Sequence, residues 1–272
     1  MGLSVTLLLP APQLTSGVIM VLLVLAQGTK LALVEGCIAA AVLLTVSLIF
    51  GVSIPSIVTL MAGTWVPVLL LAIMLLGSRS LTLTVQVAVI VAAVALVGFY
   101  AVVADPIAFW QPYMDTMAEV VRQNNLQLNL ELLTAEVMTV SAVLAFWMLY
   151  TVGLLLGYAL YRCLPNETGD FGRFRELNLG RVIAVMMALI SLLALAVNAT
   201  WLQNLAFMLF VVFWIQGLSI VHWLHAQGTI PLAALIAVYA LLPFLQVLLM
   251  TALAVFGFTD AWFDFRRRMK KA

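Results

Sequence analysis

The sequence predicts an all-α, polytopic transmembrane helix bundle of about seven to eight apolar units, one of them broken or re-entrant. Three observations carry this. The 272 residues are 65% hydrophobic and only 8% charged, against about 25% charged in soluble domains, so a water-soluble fold could not cover its surface. The apolar residues come in runs long enough to cross a bilayer, about 20 residues each. The runs VPVLLLAIMLL (66–76) and VAVIVAAVALVGF (87–99) are continuous, whereas the strands of a membrane barrel alternate with period two.

The elements follow in order. Met1 to Gln27 is apolar but interrupted by Pro10 and Pro12, which remove a helix hydrogen bond and clash with the preceding turn. It reads as a short piece over 1–9, a break, and a helix over about 14–27. No basic stretch precedes it, so a cleaved signal peptide is not expected. The abrupt apolar start also fits a start upstream, and the MGLSVT match to a myristoylation signal reads as chance. Leu31–Phe50 is the next span, then Ser56–Gly77 with Pro67 as a kink, then Leu81–Ala104.

Asp105–Glu136 is the longest polar interval, with five acids against Arg122; this composition suits the non-cytoplasmic side. Pro106, Trp110, Pro112 and Tyr113 resemble an interfacial entry. Met114, Met117, Val121 and Leu126 would line one face of a surface helix, while LQLNLEL (126–132) alternates and reads as either helix or strand.

Val137–Tyr161 is a span, followed by the loop Arg162–Arg181 with four arginines. Such a short basic loop is expected in the cytoplasm. Val182–Val197 and Leu205–Leu224 follow, then Ile230–Phe258, broken by Pro243, and a basic tail over 259–272. If every unit crossed once, the twelve lysines and arginines would divide evenly between the two sides, and charge would set no orientation. The 29-residue run 230–258 would be about 44 Å of straight helix, longer than the ~30 Å hydrocarbon core. We therefore expect it to bend or re-enter at Pro243, returning the RRRMKK tail to the cytoplasm. The whole chain reads as one integral membrane domain.

Polar residues within spans are the candidates for function. Glu35 follows Lys30 by five residues; it either pairs with that lysine near the headgroups or contacts a cation or substrate. His222 and His225 share a helix face at i, i+3, which suits water contact at a span end or a proton or metal site lacking further ligands. Gln216, with Trp214 as a stacking wall, either bonds between helices or lines a small-ligand cavity. Asp260 and Asp264 are placed at the water edge, with Asp264 pairing Arg268 at i, i+4. Phosphate-loop, nucleophile-elbow, zinc-helix and CxxC motifs are absent from the sequence, so neither catalysis nor a metal or other cofactor is expected. Cys37 and Cys163 suggest no disulfide framework. A net charge of +1 gives no field for nucleic acid.

Several stretches carry a resemblance. FWIQGLSIVHWL (213–224), the Pro243-containing last span, GFTDAWFDFRRR (257–268), LLGSRSLTLTV (75–85) and the break at Pro10 are similar to the YybS-type family of uncharacterised bacterial multi-pass membrane proteins. That family distantly resembles the S components of energy-coupling-factor transporters, six-helix vitamin-binding subunits that dock on a shared energising module. The resemblance implies a bacterial inner-membrane protein in contact with lipid. The expected function is a small-molecule binding or transport subunit that needs a membrane energising partner. The alternative is a non-transporting scaffold or assembly factor.

Overall fold

A chain segment in lipid has no water to satisfy its peptide groups, so an uncharged run of about 20 residues forms a helix. The computed structural model, which describes residues 11–124, 134–165 and 169–269, is helical on this pattern. Its elements are α1 (Ala11–Gln27), α2 (Thr29–Ile49), α3 (Ile54–Ser78), α4 (Leu81–Val102), α5 (Pro106–Gln123), α6 (Ala135–Tyr161), α7 (Gly180–Val197), α8 (Thr200–Val211), α9 (Phe213–Ala226), α10 (Leu232–Leu241), α11 (Gln246–Phe263) and α12 (Phe265–Met269).

Among the described residues, seven helical stretches are long and apolar enough to cross a membrane: α2, α3, α4, α6, α7, the α8–α9 pair and α11. The ten-residue α10 rises about 15 Å, half the hydrocarbon thickness. The break expected in the last apolar run is present. After α10 the chain turns through 242–245, with the Phe244 and Leu245 amides bonded back to the Leu241 carbonyl, and α11 then begins. Pro67 lies inside α3, which continues through it. The expectations for 1–10 and for all of LQLNLEL, Leu126 included, lie outside the described residues.

The chain forms two compact units, Met1–Ala88 with Phe146–Phe174, and Val89–Ala145 with Arg175–Ala272. In the first, α1 packs on α3 and α2. Tyr158 orders its connecting segment: the hydroxyl accepts from the Phe171 amide at 2.9 Å and donates to the Gly172 carbonyl at 2.8 Å. The Phe171 carbonyl in turn accepts from the Leu81 amide at 2.7 Å. In the second unit α8–α9 is the central element. Of its most apolar stretch 61% is buried, against 11–33% in the other six candidate spans. Those six present their Leu, Val and Ile side chains outward, as at Leu195 and Val247, which is the surface a helix shows to lipid.

Candidate functional site

Two glycines build the site. Gly217 on α9 and Gly257 on α11 let the two backbones meet. A Cβ at Gly217 would fall on the Leu253 carbonyl, and one at Gly257 on the Phe213 carbonyl. Only small residues permit such an approach. The crossing brings into contact polar side chains one residue before Gly217 and three after Gly257: Gln216 Nε2 donates to Asp260 Oδ2 at 2.9 Å.

The chain then reverses. Asp264 adopts the left-handed conformation, φ 50° and ψ 54°, and closes α11 through its amide on the Asp260 carbonyl. Arg266 is thereby folded back on Asp260, with Nη2 at 2.8 Å and Nε at 3.2 Å from the same Oδ2. Arg266 Nη1 donates to the Arg175 carbonyl at 3.1 Å and to Ser219 Oγ at 3.2 Å, and Nη2 donates to the Leu177 carbonyl at 2.9 Å. All five guanidinium N–H groups therefore have an acceptor. Ser219 Oγ donates to the Leu177 carbonyl, and Gln216 Oε1 accepts from the Leu179 amide at 2.8 Å, which satisfies an orphan donor at the start of α7.

Asp260, Gln216 and Ser219 are fully buried and Arg266 nearly so. An isolated charge at such a depth would be strongly disfavoured; here carboxylate and guanidinium neutralise one another. Asp260 Oδ1 is buried without a hydrogen-bond partner, as is Trp214 Nε1. Beside the pair opens a cleft of about 150 Å³, lined by Arg175, Glu176, Asn178, Trp223, Asp264 and Arg267. Arg266 pairs with Asp260 behind it and Arg267 with Asp264, and Glu176 also lines the cleft beside Arg175, so the charges there are balanced in number.

The candidate residues separate. Gln216 joins the network, and both ends of its amide are engaged. Trp214 is buried two residues away on α9. His222 meets the Tyr239 hydroxyl at 2.8 Å, and His225 Nδ1 meets the Ile230 carbonyl. Glu35 is half-buried on α2 in the other unit, and among the described residues no ion pair joins it to Lys30. Two expectations are corrected. Asp260 is buried rather than at the water edge. Asp264 pairs with Arg267 at 3.6 Å, not with Arg268, because its left-handed backbone ends one helix and starts the next.

A family model described as a predicted membrane protein (DUF2232) matches residues 111–261, more than half of the chain. The chain belongs to this family. The DUF2232 match takes in α9, most of α11 and the network residues Leu177, Leu179, Gln216, Ser219 and Asp260, and it ends before Arg266. Neither a curated protein nor a solved structure matches the chain.

Proposed function

We propose that this DUF2232 chain is a non-catalytic scaffold of the bacterial inner membrane that presents a positioned basic segment to a cytoplasmic partner. The observation supporting this reading is the complete engagement of Arg266. Buried ion pairs contribute little net stability compared with apolar packing, and their best-attested use is to fix one arrangement. What is fixed here is the start of the RRRMKK tail against residues 175–177. Arg181, Arg267 and Arg268 remain exposed, and the positive-inside rule places this grouping in the cytoplasm. The test is a photo-crosslinking residue at Arg268 in living cells. A discrete protein adduct that is lost in R267E and is not formed from the outward-facing Leu195 supports the scaffold. Co-purification of an ATPase pair with a bound small molecule overturns it.

That second outcome would favour the S-component-like reading, a ligand-binding subunit served by an energising module. One feature supports it. An apolar crevice of about 400 Å³ lies within the second unit, lined by residues including Val89, Val97, Met186 and Leu209. Its walls suit an apolar ligand rather than a charged vitamin.

A further inference from the structure

We propose that α5 lies flat in the headgroup layer of the bilayer, its apolar face in contact with lipid and not with a protein. Successive residues of a helix are 100° apart. On that spacing Phe109, Trp110, Tyr113, Met114, Met117 and Val121 share one face, and Gln111, Asp115, Glu119, Arg122 and Gln123 share the other. No residue of α5 is buried. Among the described residues the chain covers only the Phe109–Trp110 margin of the apolar face, so the rest of that face takes its cover from outside.

Three observations identify lipid as that cover. The first is continuity: α4, a helix long and apolar enough to cross the bilayer, ends at Val102, 84% exposed, and α5 begins at Pro106, capped by Asp105 on the Ala108 amide. The second is attachment along one margin. Trp110 Nε1 donates to Thr139 Oγ1 at 2.8 Å, and the Phe99 ring meets Phe109 at 5.3 Å and Trp110 at 6.0 Å. These contacts hold α5 against the ends of α4 and α6. The other margin, with Tyr113 and Met117, stays exposed. The third is chemistry. Trp and Tyr, with apolar bodies and polar tips, are the residues of the membrane interface. The polar face is already engaged along its own length, Gln111 with Asp115 and Glu119 with both Arg122 and Gln123. It carries two acids and one arginine, so contact with the bilayer comes from apolar insertion and not from attraction to anionic lipid.

The test is nitroxide scanning in phosphatidylcholine vesicles, with the exposed Cys37 and Cys163 replaced by serine. Labels are placed singly at Y113C, M117C, Q111C and D115C, positions where nothing buried is disturbed. Lipid contact predicts that labels at 113 and 117 are relaxed more by oxygen than by an aqueous nickel chelate, with the order reversed at 111 and 115. Nickel access at all four positions would place α5 in water. Protection at 113 and 117 from both agents would mean a protein covers the face. Either result overturns the proposal.

Discussion

Replacing Arg266 by methionine keeps most of the side-chain length and removes the charge. Asp260, fully buried, would then hold its carboxylate against the Gln216 amide alone. Breaking a buried ion pair from one side costs about 3–5 kcal/mol. Asp260→Asn alone strands the guanidinium and falls in the same range. The double variant R266M/D260N contains no buried charge. It still leaves the Arg175 carbonyl without its donor and keeps the Leu177 carbonyl on Ser219 alone. Unsatisfied groups of this kind cost about 1–3 kcal/mol, so the double variant should lose about 1–3 kcal/mol, well short of the sum of the two single losses. The assay is equilibrium unfolding in mixed detergent micelles, followed by fluorescence of the seven tryptophans. A loss below about 0.5 kcal/mol for R266M, or additive single losses, would refute the network as a coupled unit.

Gly217→Ala and Gly257→Ala should each lower stability by more than the 1–3 kcal/mol typical of overpacking, because the added methyl meets backbone rather than a flexible side chain; the same unfolding assay reads this. Tyr158→Phe leaves the buried Phe171 amide without its acceptor. It should cost about 1–3 kcal/mol, visible in unfolding and as faster amide exchange at Phe171. At the water-exposed end of α5, the Arg122 guanidinium and then the Gln123 amide hold the Glu119 carboxyl below its usual pKa. A depressed folded pKa means that this contact is complete above the ordinary glutamate value and is lost as pH falls through the lowered one. A carboxyl-carbon NMR titration should show Arg122→Gln raising that pKa, and no change would contradict the pairing.

The spans are readable from sequence because an uncharged run in lipid has one structural outcome. Leu31–Phe50 differs from α2, Thr29–Ile49, by no more than two residues at either end. The split of α8 from α9 at Val212 has no proline or glycine to announce it. Gln216 was legible as a polar residue within a span, but its partners were not. Asp260 and Arg266 are six apart, a spacing that places them together only because Asp264 leaves the helix. The i, i+4 reading of Asp264 and Arg268 failed for the same reason, since it assumes one unbroken helix. The available signal was a pair of features: a glycine in each of two spans, and an acid in an apolar helix just before a basic cluster.

The most direct measurement uses Glu176→Cys and Arg268→Cys, each in the C37S/C163S background, with a membrane-impermeant maleimide on intact cells. Arg266 bonds the segment carrying position 176, so the two sites should share one cytoplasmic face: neither labels in intact cells, and both label once the membrane is opened. Labelling of one from outside while the other stays protected would separate the tail from the loop and contradict the account.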